Sequence, residues 1–483
     1  MNKINHEWKL PKANTEGDSN RIALHGGSYT VIITAVVLAI LLLVNLLSGY
    51  LPDSMTKFDI SSNKLYSITS NTKTVVNHLE DDVTIYWVVQ EGKEDEVIKT
   101  LLDKYDSLSD HIKIVKKNPD VYPAFTEKYT KEKVENNSII VECGDRNKYI
   151  GFDDIYLQEA DMSTYSNKVS FDGEGVVTSA IDYVVNKDQP QIYVLEGHGE
   201  LTLPEKFNDQ LTKANMVLNQ FSLLNEDAIP EDADLVMIYA PQNDISKEEA
   251  LILQDYVDQG GKLFVSAGPV EDGSLTNLYG ILEKYGIATT DGIVVEADRE
   301  HYAFQQPHIL MPKMEPHKIT QSLIDERYYP IIPLSQGVTV SEDVSGKTVT
   351  PLLTTSVDSY SKAAGFELET YDKEEEDSDG PFTVAFTITT DNNGQVVWFD
   401  SSYFLDDMYN AYSSGANVNL AMNSMYSMIG ENDAMAIRSK SFNYDYLTIS
   451  DSDASLLKVL MIGVFPVLYL LVGITVVVKR RRH

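Results

Sequence analysis

Two long uncharged runs stand out in the hydropathy pattern of this chain. Residues 26–52 contain no charged side chain and centre on VIITAVVLAILLLVNLL, and residues 459–478 form a second uncharged run. About 20 helical residues cross a hydrocarbon core of roughly 30 Å. The runs therefore predict transmembrane helices at 28–51 and 455–478. The first run exceeds the apolar part of a signal peptide and no small-residue cleavage site follows it, which favours an anchor over a cleaved leader.

Cations flank both runs on the sides that face the chain ends. The first flank carries Lys3, Lys9, Lys12 and Arg21, and residues 479–482 read KRRR. Because cytoplasmic flanks of membrane helices are enriched in Lys and Arg, residues 1–27 and the basic tail 479–483 are predicted to be cytoplasmic. We therefore expect a protein of the cell membrane with both termini in the cytoplasm and a large extracytoplasmic domain between the helices.

The first part of that ectodomain alternates between helical and strand periodicity. The predicted elements are a helix at 72–79 with Ser70 as its N-cap, a strand at 83–89, a helix at 94–108, a strand at 111–116, a hairpin at 138–142 and 149–153, and a helix at 174–185. A strand–helix–strand order implies parallel strands joined by a right-handed crossover, as in a thioredoxin-like half. Residues 52–188 are therefore predicted to be a membrane-proximal α/β domain.

A second unit begins at Gln189. Its predicted elements are a strand at 192–195, a helix at 204–220, a strand at 233–239, a helix at 246–259, a strand at 262–267, a helix at 275–285, a strand at 292–296 and a strand pair at 383–390 and 396–400. Strands and helices alternating over short connections predict a doubly wound α/β domain at 189–453. Residues from about 297 to 380 are predicted to be an irregular insertion, and its acidic run at 374–377 a solvated loop.

Composition narrows the possible functions. Lys and Arg number 39 against 73 Asp and Glu, for a formal net charge of -34, so the bulk of the chain is unsuited to nucleic acid or to an anionic lipid surface. With 43% hydrophobic residues, the chain has ample material for packed cores. The single cysteine, Cys143, excludes internal disulfides, Cys-rich zinc sites and CxxC redox chemistry.

One motif stands out as a candidate site. It follows the predicted strand at 192–195 and consists of Glu196, Gly197, His198, Gly199 and Glu200. Open α/β sheets bind ligands at the carboxyl ends of their strands, and His198 with Glu200 could bind a metal or transfer protons. Alternatively, the glycines allow a tight turn and His198 packs over the sheet edge. Since no nucleophile accompanies the motif, ligand contact or a structural role is favoured over catalysis.

The remaining candidates do not form a reactive constellation. His301, His308 and His317 have no standard zinc spacing, and Ser345-Gly346-Lys347-Thr348 lacks the first glycine of a phosphate-binding loop. Cys143 follows a β-branched strand, so packing is favoured over nucleophilic catalysis. We therefore predict no catalytic residue, no metal site and no cofactor, and do not expect an enzyme.

Four segments, in a fixed order, carry a resemblance to a known family. They are FDI and KLYSI within residues 58–68, IYVLEGHGE at 192–200, the stretch from Ile229-Pro230 to Gly260-Gly261-Lys262, and the C-terminal run that ends in Arg480-Arg481. In these segments the chain resembles the GldG-type auxiliary components of bacterial ABC transport systems. The resemblance implies a glutamine-amidotransferase-like α/β core without the amidotransferase cysteine, and a separate ATPase and multi-span permease as partners.

The expected function follows from the anchors, the candidate motif and this resemblance. We expect a non-catalytic, membrane-anchored auxiliary subunit of an ABC-type transport system, with an extracytoplasmic domain that binds a substrate or a partner. A stand-alone cell-surface module that binds carbohydrate or mediates adhesion remains an alternative. A third possibility is an exported hydrolase that uses His198 and Glu200.

Overall fold

The computed structural model describes most of the predicted ectodomain. The described residues are 35–40, 43, 67–131, 133–161, 166–224, 228–340, 347–429, 440–441 and 459–481. The chain divides into two compact units, residues 1–64 and residues 65–483. The FDI element of the resemblance and both predicted cytoplasmic tails, except residues 479–481, lie outside the described residues.

The first α/β region combines four helices with a four-stranded sheet and an additional pair of strands. Its elements are α1 (Ser70–Asn77), β1 (Val83–Val88), α2 (Glu96–Leu108), β2 (Ile112–Lys117), a 3-10 turn (Thr126–Lys128), β3 (Ser138–Cys143), β4 (Arg146–Ile150), α3 (Phe152–Ile155), β5 (Tyr156–Asp161), β6 (Ser166–Phe171) and α4 (Gly173–Val185). The strand order is β2-β1-β3-β4, with β1 parallel to β2 and antiparallel to β3. The predicted parallel β-α-β unit is therefore present, with α2 as its crossover.

Helix α1 begins two residues earlier than predicted, and its N-cap lies one residue earlier. Thr69, not Ser70, is its N-cap, with an extended backbone and a side chain that accepts from Thr72 N. The buried carboxylate of Glu174 on α4 accepts hydrogen bonds from Thr69 N, Thr69 Oγ1 and Thr72 Oγ1 at 2.7–2.8 Å. This long-range contact, which a local capping pattern does not contain, sets the start of the helix.

The second region is built on a large mixed sheet. Its elements are β7 (Gln191–Leu195), α5 (Glu205–Lys213), β8 (Val217–Phe221), β9 (Leu235–Tyr239), α6 (Lys247–Asp258), β10 (Lys262–Ser266), α7 (Thr276–Glu283), β11 (Ile287–Thr290), β12 (Ile293–Val295), β13 (Ile309–Leu310), β14 (Lys313–Met314), α8 (Gln321–Glu326), β15 (Ile332–Pro333), β16 (Gly337–Val340), β17 (Lys347–Thr354), β18 (Tyr360–Lys362), a 3-10 turn (Gly365–Glu367), β19 (Ser378–Asp379), β20 (Thr383–Thr390), β21 (Gln395–Phe399), α9 (Asp407–Tyr412), α10 (Ala416–Ile429) and β22 (Lys440–Ser441). Strand β22 pairs with β6 of the first region.

Five parallel strands form one end of the large sheet, in the order β8-β7-β9-β10-β21 with β8 at the edge. The chain passes from β7 to β8, which lies on one side of β7. It then crosses to β9 on the other side of β7 and continues outward through β10. The order reverses between β7 and β9, which makes this the topological switch point of the sheet. Buried apolar clusters cover both faces, and the central strand β9 is accordingly apolar and buried along its whole length. The predicted mixed α/β class is confirmed.

Two predictions about elements are wrong. The helix predicted at 204–220 ends at Lys213, and residues 217–221 form β8 instead. Asn215 has a φ of +54°, which turns the chain out of the helix, and Val217 then pairs in parallel with Gln191. The insertion at about 297–380 is also more regular than predicted, because β17 pairs along its length with β20.

The acidic run at 374–377 is more than a solvated loop. Lys362 is fully buried on β18, and its Nζ lies 2.5 Å from Glu374 Oε2 and 2.9 Å from Asp377 Oδ2. Its third partner is the carbonyl of Asp372, at 2.9 Å. The run is an exposed loop, as predicted, and two of its carboxylates also neutralise a buried lysine, which the sequence did not indicate.

The predicted membrane segments fall partly within the described residues. Residues 35–40 and 43 of the first are helical. In the second, a π-helical turn (Val459–Val464) leads into α11 (Phe465–Arg481). None of the described residues belongs to a helix with both the length and the apolarity needed to cross a bilayer.

Candidate functional site

The candidate motif lies at the switch point. Residues 196–200 follow β7, and the loop that starts at Ala240 follows β9, the neighbouring strand across the reversal. The helices that follow these two strands pack on opposite faces of the sheet, and sheets of this kind bind ligands at the carboxyl ends of the strands at such a point. Glu196, Gly197 and Gly199 are exposed there, whereas His198 is buried.

Both glycines of the motif are required by the turn. Gly197 has a φ of +123° and Gly199 a φ of +71°, a region that side chains with a Cβ rarely adopt. A Cβ at Gly197 would lie 2.8 Å from a methyl carbon of Leu224, and one at Gly199 would lie 2.8 Å from Asn243 Nδ2. The tight turn that the sequence suggested is therefore present.

His198 lies between two carboxylates. Its Nδ1 is 3.2 Å from Glu200 Oε1, and its Nε2 is 3.3 Å from Glu249 Oε2 and 3.2 Å from Glu249 Oε1. The hydrogen bond to Glu200 raises the pKa of His198 above its usual value, with a further contribution from the charge of Glu249, while burial opposes the shift. The structure therefore favours an imidazolium that bridges the motif to α6.

The two carboxylates are held by backbone N–H groups as well. Glu200 Oε2 accepts from Gly197 N at 3.0 Å and from His198 N at 2.9 Å. Glu249 Oε2 accepts from Ser246 N at 2.7 Å, within the capping box that starts α6. Burial acts to raise the pKa of each carboxyl, but the bonds from His198 and from these backbone groups lower both pKa values overall.

Backbone bonds join the two loops of the switch point. The carbonyl of His198 accepts from Gln242 N at 3.0 Å and from Asn243 N at 2.8 Å. Leu201 N donates to the carbonyl of Ala240 at 3.2 Å. Because both ring nitrogens of His198 are already engaged, this arrangement is suited to presenting a fixed surface rather than to transferring protons.

Carboxylates also occupy neighbouring helix N-termini. Asp407, at the start of α9, accepts from Glu205 N at 3.1 Å and from Lys206 N at 3.0 Å, at the first turn of α5. Asp244 accepts from Asn277 N and Leu278 N at the first turn of α7. Helix N-termini commonly bind phosphate in such folds, but here the protein's own side chains fill these two positions. The edge is therefore better suited to neutral or cationic groups than to phosphate.

The other predicted candidates are not brought together. Nδ1 of His301 is 3.3 Å from the carbonyl of Met311, and Nδ1 of His308 is 2.5 Å from the Tyr371 hydroxyl. Nδ1 of His317 accepts from Ile319 N. No group of three or more His, Cys, Asp or Glu side chains in the described ranges could hold a metal ion.

The other two candidates are Cys143 and the segment 345–348, and the described residues around them do not form a reactive site. Cys143 ends β3 half-buried, and burial raises the pKa of its thiol, which disfavours a reactive thiolate. Lys347 and Thr348 lie in strand β17, whereas Ser345 and Gly346 lie outside the described residues.

Sequence reasoning missed a buried acid at the same edge of the sheet. Asp400 directly follows β21, is fully buried, and neither of its carboxyl oxygens has a hydrogen-bond partner. Burial raises its pKa far above the usual range, which favours the protonated, neutral form of the acid. Its position right after an apolar strand was the available signal, but burial of the side chain depends on α7, which packs Tyr279 against Trp398 at 5.2 Å.

Comparison with known proteins gives two family matches. Residues 189–425 match a family described as "ABC-type uncharacterized transport system". Residues 62–158 match a domain of unknown function. No curated protein matches.

Solved structures match this chain only at low similarity. The "mmIFT52 N-terminal domain" is 15% identical with a TM-score of 0.37, covering 50% of this chain and 97% of that one. PurLQS from Thermotoga maritima is 10% identical with a TM-score of 0.26, covering 50% and 98%. Exo-beta-1,4-mannosidase Op5Man5 from Opitutaceae bacterium strain TAV5 is 10% identical with a TM-score of 0.24, covering 71% and 49%. At these scores none of them bears on function.

Proposed function

We propose that this chain is a non-catalytic auxiliary subunit of an ABC-type transport system, because residues 189–425 match the family described as "ABC-type uncharacterized transport system". Its extracytoplasmic domain binds a substrate or a partner at the switch point between β7 and β9. The family match carries this proposal, and it agrees with the resemblance to GldG-type components found in the sequence.

The geometry of the motif supports a binding role over a catalytic one. His198 is buried and both its ring nitrogens face carboxylates, so no basic nitrogen is free to accept a proton from a substrate. The exposed members of the motif are Glu196, Gly197 and Gly199. These residues place the carboxylate of Glu196 on an exposed tight turn, and such a surface suits recognition of a neutral or cationic group.

The partners of the proposed subunit are an ATPase and a multi-span permease. The sequence contains no complete nucleotide-binding loop, so the energy for transport has to come from another polypeptide. The two uncharged runs, with cations on their outer flanks, support anchoring at 28–51 and 455–478 beside such a permease. In this arrangement the protein is in the cell membrane and the described α/β regions lie outside the cytoplasm.

Affinity capture from membranes tests the proposal. The tagged full-length protein is extracted in a mild detergent, and the proteins that co-purify are identified and quantified by mass spectrometry. We expect an ATPase and a multi-span permease in near-stoichiometric amounts. Recovery of the protein alone at several detergent strengths would contradict the proposal and favour the stand-alone carbohydrate-binding or adhesive module.

A charge-reversal pair tests the role of the switch point. Glu196→Arg changes the exposed acid of the motif, and Glu283→Arg changes an exposed acid on α7 as a matched control. We expect the first variant to reduce recovery of the partners or binding of the substrate, and the second to leave both unchanged. Equal recovery with both variants would exclude the switch point as the contact.

A further inference from the structure

Four consecutive apolar residues are exposed at the tip of the loop after β2. They are Val121, Tyr122, Pro123 and Ala124, and the exposed fractions of Val121 and Tyr122 are 62% and 53%. Isolated exposed apolar side chains are normal on a protein surface, but a contiguous exposed run indicates a surface that something covers.

The surroundings of this tip are basic although the chain is acidic overall. Residues 113–133 contain six lysines and three acids, against a net charge of -34 for the whole sequence. The lysines are Lys113, Lys116, Lys117, Lys128, Lys131 and Lys133, and all except Lys117 are exposed. Apolar residues between lysines are typical of segments that lie in the interface of an anionic bilayer.

The tip is presented by a well-packed loop. Phe125 packs on Tyr86 and Tyr129, with ring centroids 4.9 and 5.2 Å apart, and Lys117 Nζ lies 5.1 Å from the Phe125 centroid. Val121 N and Tyr122 N both donate to the carbonyl of Asn118. Since the backbone is held in this shape, the apolar residues face outward without a further ordering cost when they bind.

We propose that the tip of this loop, residues 121–124, inserts into the headgroup region of an anionic lipid bilayer, with the surrounding lysines on lipid phosphates. A bilayer supplies both the apolar layer that the tip lacks and the negative charge that the lysines require. A second copy of this chain fits less well, because the lysines of the two copies would repel each other. The proposal rests on the membrane anchoring in the proposed function, in which fifteen residues, 52–66, link the first span to Ser67 and reach at most about 50 Å.

Site-directed spin labelling of the full-length protein in lipid nanodiscs tests this surface. In a Cys143→Ser background, a nitroxide is attached at Tyr122→Cys, or at Val357→Cys as the control. Val357 is 76% exposed and lies in the second α/β region. Accessibility of the label to oxygen and to a water-soluble nickel complex is compared in discs of phosphatidylcholine alone and of phosphatidylcholine with phosphatidylglycerol.

We expect the oxygen-to-nickel accessibility ratio at position 122 to rise several-fold in the discs with phosphatidylglycerol, and the ratio at 357 to stay unchanged. Replacing Lys128, Lys131 and Lys133 by Gln should abolish the rise, as should high salt. A label at 122 that is as water-accessible as the label at 357 in both discs would overturn the proposal. So would protection at 122 that appears only with the permease present, which would assign the tip to a protein partner. The accessibility ratios in discs that contain this protein alone do not depend on whether an ATPase and a permease co-purify.

Discussion

His198 shows how a single side chain can hold the switch point together. Its imidazolium contacts Glu200 within the same loop and Glu249 on α6, and all three side chains are largely buried. Burying charge is costly, and the cost is offset here because each charge faces an opposite one and the carboxylates also accept backbone hydrogen bonds. Removing one member therefore leaves an uncompensated charge in the interior.

His198→Gln should lower the free energy of unfolding by about 2–4 kcal/mol near pH 6, because it leaves two buried carboxylates without their cation. The pKa of His198 is raised in the folded state, so the contribution is present below the unfolded value of about 6.5 and is lost as pH rises through the folded value. At lower pH the stabilising contribution of His198 persists until Glu200 and Glu249 become protonated, which the lowered pKa values of these carboxyls delay. Urea unfolding at a series of pH values measures the pH range over which His198 stabilises the protein.

A matched control is available for this prediction. His111 pairs with Asp82 at 3.0 Å, but both side chains are substantially exposed, and such pairs contribute little to stability. His111→Gln should therefore have an effect below about 1 kcal/mol. A difference between the wild-type protein and His198→Gln that is the same at every pH would show that His198 does not act as a cation.

Asp400→Asn should stabilise the protein at neutral pH. Burial raises the folded-state pKa of Asp400, so its contribution to stability is full below the unfolded value of about 3.9 and is lost as pH rises toward the folded value. Asn cannot ionise and avoids that loss, so the gain at pH 8 should be on the order of 1–3 kcal/mol. Thermal unfolding from pH 3 to pH 8 measures it, and the exposed Asp209→Asn is the control. A gain that persists at pH 3 would refute the explanation.

At the scale of elements, helix α5 depends on a residue far away in the sequence. Its first turn offers Glu205 N and Lys206 N, and Asp407 of α9 accepts from both. Periodicity indicated a helix from residue 204, and this start is confirmed to within one residue. The sequence could not reveal the cap, because it comes from a different element and depends on how α9 packs.

Asp407→Ala should cost about 1 kcal/mol in unfolding free energy, the usual effect of removing a carboxylate N-cap. Asp209→Ala, at an exposed position inside α5, should change stability by less than about 0.5 kcal/mol. Chemical denaturation followed by circular dichroism compares the two variants. Equal effects would mean that the contact between α9 and α5 contributes nothing to stability.

At the scale of the whole molecule, polar contacts join the two α/β regions. Lys213 at the end of α5 lies 2.5 Å from Asp172, which precedes α4 and is buried. Asn215 donates to the carbonyl of Ser179 and to Asp182 Oδ2, both at 2.9 Å. These contacts fix α4 against the edge of the large sheet, so motion of the first region should be transmitted to the second.

Lys213→Met should destabilise the protein by about 2–4 kcal/mol, because it removes the ion pair between Lys213 and the buried carboxylate of Asp172. The double variant Lys213→Met with Asp172→Asn also lacks the negative charge of Asp172, so it should recover a large part of the lost unfolding free energy. A double-mutant cycle by urea unfolding yields the coupling between the two side chains. Additive effects would contradict a direct contribution of the pair.

What the sequence determined by itself is local in origin. Strand and helix periodicity located β1, α2, β7, β9, α6 and β10, and the glycines at 197 and 199 indicated a tight turn after an apolar strand. The ordered motifs indicated the transport family, which residues 189–425 confirm. The narrower GldG-type assignment, the division at residue 188 and the two membrane spans stay predictions.

What only the tertiary structure decided depends on partners distant in sequence. Residues 217–221 are a strand because β7 lies beside them, and the insertion becomes regular because β17 finds β20. The pKa of His198 is raised because Glu200 bonds to one ring nitrogen and α6 brings Glu249 to the other, and the pKa of Asp400 is raised because its side chain is buried. In each case local periodicity carries no information about the neighbour, and it is the neighbour that sets the hydrogen bonding, burial and charge of the residue.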